Sequence, residues 1–127
     1  MTRSVIDSSV ILAFMNREDG WEKAKAIIPD GVVSSLIYAE IVTRLTLRGG
    51  SASNIDRAWE ELECAVEPFT AERARAAGLL VAATRERGLS LADRACLALG
   101  LELGSPVFTT DRAWAGLTIG ADIRLIR

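Results

Sequence analysis

Short apolar runs alternate along this chain with longer segments of helical spacing. Val5-Ile6 reads as a first strand and Ser8 to Phe14 as a short helix. Asn16 to Gly20 is a polar break, and Trp21 to Ile28 has helical spacing that stops before Pro29. Gly31-Val32-Val33 is a second strand. Ser34 or Ser35 can cap the helix that continues to about Leu47, and Gly49-Gly50 ends it. Ser53 is the expected cap of a helix through Cys64, with Ile55, Ala58, Trp59 and Leu62 on one stripe. Ala65-Val66-Glu67 is a brief extended piece closed by Pro68.

In the second half, Thr70 opens a long helix rich in alanine and arginine that runs to Arg87 and ends at Gly88. Ser90-Leu91-Ala92-Asp93 has the spacing of a capping box and starts a helix to Leu103, terminated by Gly104. Val107-Phe108-Thr109 is a strand, a short helix follows Asp111, and Ile123 to Ile126 is a last strand. Short β-branched strands separated by helices predict an α/β fold, a short parallel central sheet flanked by helices on both faces. The chain of 127 residues suits one domain, residues 1–127, with no repeat or linker.

Against this apolar pattern, four carboxylates stand out. Asp7 ends the first strand and Asp111 follows the strand at 107–109. Asp93 lies in the first turn of its helix, and Glu40 lies on the stripe of Leu36 and Ile37. A carboxylate in apolar surroundings is costly unless it is paired or binds a metal. Asp7, Asp93 and Asp111 each have a simpler explanation as helix caps. Glu40 is too far into its helix for that, although Arg44, four residues on, could neutralise it. Two strand-end aspartates, a first-turn aspartate and an inward glutamate together suggest a site for a hard divalent cation, Mg²⁺ or Mn²⁺, which prefer carboxylate and water oxygens.

Composition narrows the chemistry further. The chain has no histidine, which excludes a Ser-His-Asp triad, a Cys-His pair and any histidine-based cleavage of RNA. Cys64 and Cys96, both placed in helical patterns, read as reduced, buried thiols, too few for a structural zinc site. The formal charge of −2 looks wrong for a nucleic-acid binder, but setting the four carboxylates aside leaves the rest at +2. No run reaches the roughly 20 apolar residues of a membrane span. Met1-Thr2-Arg3-Ser4 leads directly into a strand pattern without a signal peptide, so a cytoplasmic protein is expected.

Val5 to Ala13, Ser35 to Ile41, Leu89 to Leu99 and Val107 to Trp114, in that order, resemble the four motifs of PIN-domain proteins, and most closely those of the VapC-type toxins of bacterial toxin–antitoxin pairs. The resemblance implies a Mg²⁺- or Mn²⁺-dependent endoribonuclease with Asp7, Glu40, Asp93 and Asp111 as its acidic cluster. Asp7 and Asp93 are the leading direct ligands, and Glu40 and Asp111 ligate a second ion or orient water. It also implies an RNA substrate, a cognate antitoxin and a homodimer. Thr110 resembles the family's hydroxyl residue beside the last aspartate. Ser8 and Ser9 either bond to the Asp7 carboxylate or only cap a helix. Arg112, Arg94 and Arg44 are candidates for phosphate contacts. Trp21 and Trp59, with Ile27, Ile28 and Ile55, either pack the core or line a groove for an antitoxin helix. The competing reading is a non-catalytic RNA-binding or scaffold protein of the same fold.

Overall fold

The structure, a computed structural model, describes residues 3–127. Five parallel strands form one sheet in the order β3-β2-β1-β4-β5, with β1 at Val5–Ile6, β2 at Val32–Ser34, β3 at Ala65–Glu67, β4 at Val107–Thr109 and β5 at Ile123–Leu125. The helices are α1 (Ser8–Met15), α2 (Trp21–Ile27), α3 (Ser35–Leu47), α4 (Ala52–Leu62), α5 (Ala71–Leu79), α6 (Val81–Thr84) and α7 (Leu91–Leu103). Short 3₁₀ turns occupy Arg85–Arg87 and Arg112–Trp114.

Successive strand residues point to opposite faces of a sheet. Val5, Ile6, Val32 and Val33 all have 0% exposure, so both faces of the sheet are covered. This is the arrangement the unbroken apolar strands require, because a parallel sheet has no face to give to water. Around β1 and β2 the core gathers Val10, Ile11, Ile28, Ile37, Ile41, Leu97 and Trp114. At Gly100 an added Cβ would clash with Val107 Cγ2, so the missing side chain lets α7 lie against β4.

The capping chemistry is largely where the side chains imply it. Ser34, not Ser35, caps α3 by accepting the Leu36 N–H, while the Ser35 hydroxyl accepts the N–H of Phe69. Thr70 caps α5, and Ser90 with Asp93 forms the expected capping box. The cap of α4 is Ser51 rather than Ser53, since Ser51 Oγ accepts the Asn54 N–H. That helix ends at Leu62, and Glu63 turns the chain in a left-handed conformation (φ 56°). Cys64 therefore lies past the helix, and both cysteines are free and buried. β2 is centred one residue later than expected.

The long helix expected over 70–87 is broken at Leu80 into α5, α6 and a 3₁₀ turn. The Leu80 carbonyl accepts the N–H of Ala83 and both the N–H and the hydroxyl of Thr84. This local bonding competes with the helical ladder after Gly78 has already weakened it. The element after Asp111 is likewise only a 3₁₀ turn. Among the described residues, no helix is long and apolar enough to cross a membrane.

Candidate active site

The chain winds outward from β1 through β2 to β3, then returns to β4 on the other side of β1. The crevice beyond the carboxyl ends of β1 and β4 is thus the point where the winding reverses, the usual ligand position in an open α/β sheet. Asp7 follows β1 immediately, and Asp111 stands two residues after β4. β2 runs directly into α3, which carries Glu40, and the first turn of α7 supplies Asp93.

Asp7 does not cap α1 with its side chain. Its Oδ2 instead accepts two hydroxyl bonds, from Ser9 Oγ at 2.6 Å and Thr109 Oγ1 at 2.9 Å. Each hydroxyl is itself held by a backbone donor. The Thr110 N–H donates to Ser9 Oγ, and the Asp111 N–H donates to Thr109 Oγ1. Two relays thus run from the turn after β4 into one oxygen of Asp7. The other oxygen, Oδ1, is buried and meets no hydrogen-bond partner among the described residues.

Burial pushes the Asp7 carboxyl up to about 6, against the pull of the Ser9 and Thr109 hydroxyls, and the charges of Asp93 and Glu40 push the same way as burial. Asp93 is also raised, first by burial and then by Asp111 and Glu40, while its bonds at the cap lower it. Charge links these two to the other carboxylates: Asp93 and Glu40 raise Asp7, and Asp111 and Glu40 raise Asp93. Beneath them Cys96 has 0% exposure, and burial together with Asp7, Asp93 and Glu40 holds its thiol well above its ordinary range, so it stays protonated.

Capping accounts for one oxygen each of Asp93 and Asp111. Asp93 Oδ2 accepts the Ser90 N–H, and Asp111 Oδ1 accepts the Ala113 N–H. Glu40 Oε1 accepts a bond from the buried Ser8 hydroxyl. Arg44, proposed as its neutraliser, is exposed and makes no ion pair among the described residues. Ser8 and Ser9 thus divide the work, one bonding Glu40 and the other Asp7.

The hydroxyl beside Asp7 comes from Thr109 rather than Thr110, which contributes its backbone N–H. The two threonines are adjacent, and strand alternation decides which one points inward; Thr109 has 0% exposure. Arg94 turns from the cluster and donates to the Ala77 carbonyl on α5. Arg112 is exposed on the 3₁₀ turn. Trp59 packs edge-on against Tyr38, and Trp21 lies under the Arg17 guanidinium.

The donors of the cluster are all oxygens, which suits Mg²⁺ or Mn²⁺. Among the described residues, no three histidine, cysteine, aspartate or glutamate side chains form a ready-made metal cage. The orphaned Asp7 Oδ1 is nonetheless the kind of atom a cation or water satisfies. Mg²⁺ commonly takes one or two carboxylates and keeps several waters. The residues present therefore fit a partly hydrated ion.

Solved structures of similar fold cover almost the whole chain. A chain of a toxin–antitoxin complex from Klebsiella pneumoniae has a TM-score of 0.75 at 15% identity, covering 99% of this chain and 98% of its own. A chain of DNA-bound VapBC from Salmonella typhimurium has a TM-score of 0.69 at 15% identity, with 100% of each chain covered. A chain of VapBC-5 from Mycobacterium tuberculosis has a TM-score of 0.59 at 22% identity, covering 100% of this chain and 99% of its own. No curated protein matches the sequence. The sequence itself matches the PIN domain over residues 4–118, a span that includes all four carboxylates, and the chain belongs to the PIN-domain family.

Proposed function

We propose that this chain is the toxin of a VapC-type toxin–antitoxin pair and a divalent-metal-dependent endoribonuclease. The observation that carries the reading is the buried, unpartnered Oδ1 of Asp7, raised toward neutral pH among three further carboxylates at the switch point of the sheet. Asp7 and Asp93 would hold Mg²⁺ or Mn²⁺ directly, with Glu40 and Asp111 holding a second ion or orienting water. When bound, the ion offsets the repulsion within the cluster, lowers the pKa of coordinated water and stabilises charge on a phosphodiester in the transition state.

The chain's own residues prepare the site. The Ser9 and Thr109 hydroxyls occupy Asp7 Oδ2 and so leave Oδ1 as its free ligand atom. Ser8 holds the Glu40 carboxylate through Oε1, and the capping bonds of Asp93 and Asp111 fix the direction of their remaining oxygens. The cytoplasm, where RNA is found, is the proposed place of action. Two of the similar structures are complexes called VapBC, and an antitoxin is the partner proposed here. Its place would be the groove of about 320 Å³ lined by Phe14, Met15, Ile28, Ala58 and Leu62 together with the charged Lys25 and Glu61; of the residues expected there from the sequence, Ile28 lines it and Trp21, Trp59, Ile27 and Ile55 do not. A homodimer is the proposed assembly.

The test is cleavage of single-stranded RNA by purified protein with Mn²⁺ or Mg²⁺. Chelator, Asp7→Asn and Asp93→Asn are each expected to reduce the rate by at least about 100-fold. Wild-type rates in the Asp7→Asn protein would refute the assignment, and metal-independent RNA binding without cleavage would favour the scaffold reading.

A further inference from the structure

A cleft of about 580 Å³ opens between the 3₁₀ turn Arg85–Arg87 and the loop after Trp114, lined by Arg85, Glu86, Arg87, Gly116 and Thr118. Arg87 Nη1 donates to the carbonyls of Ala113 at 3.0 Å and Ala115 at 2.6 Å. Gly116 (φ +81°) completes the wall, and a Cβ there would meet Arg87 Nη2 at 3.3 Å. The cleft is therefore built against a fixed guanidinium. Arg85 is exposed and makes no ion pair among the described residues. Glu86 is the one acid in the lining, leaving it net positive. The N–H groups of Gly116 and Thr118 meet no acceptor among the described residues.

The position of this cleft gives it meaning. Ala113 donates its N–H to Asp111 and offers its C=O to Arg87. One residue thus joins a site carboxylate to the arginine cleft, and the two side chains lie within about 10 Å of each other. We propose that the cleft binds the phosphate of a nucleotide neighbouring the scissile one, with Arg87 as the fixed contact and Arg85, on the same 3₁₀ turn, as the second cation. This rests on the proposed nuclease reading and adds a subsite to it. Such a site answers a physical problem of this chain: a cluster of carboxylates repels RNA, so backbone phosphates need a cationic hold beside it.

The experiment measures binding of a fluorescein-labelled single-stranded RNA of about ten nucleotides by anisotropy in chelator, across a salt series. Arg85→Ala is expected to weaken binding several-fold and to reduce the salt slope by about 0.7, the loss of one single-strand phosphate contact. Arg87→Lys keeps the charge but loses the two-carbonyl bridge, and is expected to weaken binding as well. In cleavage assays with Mn²⁺, Arg85→Ala is expected to raise KM and leave kcat near wild type. Arg57→Ala, on α4 outside the cleft, removes the same charge and is expected to bind almost normally. Unchanged affinity and slope in Arg85→Ala, or equal losses at Arg57 and Arg85, would overturn the subsite while wild-type cleavage left the nuclease reading intact. A wild type that neither binds nor cleaves RNA would overturn both.

Discussion

Asp7 shows how one buried side chain joins stability to function. Its carboxyl is raised from 3.8 to about 6, chiefly because burial disfavours the charged form. In the folded, metal-free protein Asp7 thus holds its proton more tightly than in the unfolded chain. Stability from this group is fully present below about pH 4, falls as pH rises through about 6, and stays lost above it. The gap corresponds to on the order of 3 kcal/mol. Thermal melts in chelator are expected to show a lower Tm at pH 7.5 than at pH 5. Asp7→Asn should flatten that difference and raise Tm at pH 7.5, because the amide carries no charge to bury. The supporting hydroxyl makes a second residue-scale prediction. Thr109→Val removes a donor to Asp7 Oδ2 and the acceptor of the Asp111 N–H, and should weaken Mn²⁺ binding by calorimetry about tenfold. Thr110→Val leaves both bonds in place and should bind Mn²⁺ nearly as the wild type does.

Elements carry these residues to the site through their termini. Asp7 precedes α1, Asp93 lies in the first turn of α7, and Asp111 opens a 3₁₀ turn. For Asp93 and Asp111 the start of an element fixes the side chain's direction, because the backbone donors there are unpaired and recruit a carboxylate, whereas Asp7 is held by the Ser9 and Thr109 hydroxyls. Packing between elements is a separate matter, and two helical glycines separate it from helix propensity. Gly78 on α5 has nothing within 4 Å of an added Cβ, so Gly78→Ala should stabilise by about 0.5–1 kcal/mol. Gly100 on α7 would place its Cβ against Val107 on β4, so Gly100→Ala should destabilise by about 1–3 kcal/mol despite the better propensity. Urea melts of both variants check the pair, and opposite signs are expected.

At the scale of the whole molecule, the sheet order brings together carboxylates that are far apart in the chain. Metal binding should therefore act as a tertiary staple across β1, α3, α7 and β4. A ligand at 100 times its Kd stabilises by about 2.7 kcal/mol, so saturating Mn²⁺ should raise Tm by several degrees. Asp93→Asn should shift much less, since it loses a charge that the others face. Equal shifts in the two proteins by scanning calorimetry would remove Asp93 from the ligand set. An ion pair network on the same side of the chain as α7 has a different role. Arg73 joins Glu67 at 3.0 Å and Glu102 at 2.8 Å, linking β3, α5 and α7 without reaching the carboxylate cluster.

The sequence by itself determined the class of fold and which carboxylates fall at strand ends and in the first turn of a helix. Apolar strands without alternation can only be buried on both faces, and a carboxylate at the end of such a strand marks the edge where ligands bind. The capping box at Ser90 and Asp93 was legible for the same reason, being a matter of spacing within one turn. Tertiary structure alone decided the choices between near-equals. Thr109 rather than Thr110 faces Asp7 because β4 pairs with β1 in one register. Ser8, rather than Arg44, meets Glu40 because α1 packs beside α3. The break at Leu80 depends on a carbonyl shared between the backbone and a side chain, and the arginine cleft on a bridge from residue 87 to residues 113 and 115. Local spacing records which side chains can bond within a turn or face one side of an element. It holds no record of which elements will touch, because that is set by the burial of the whole chain at once.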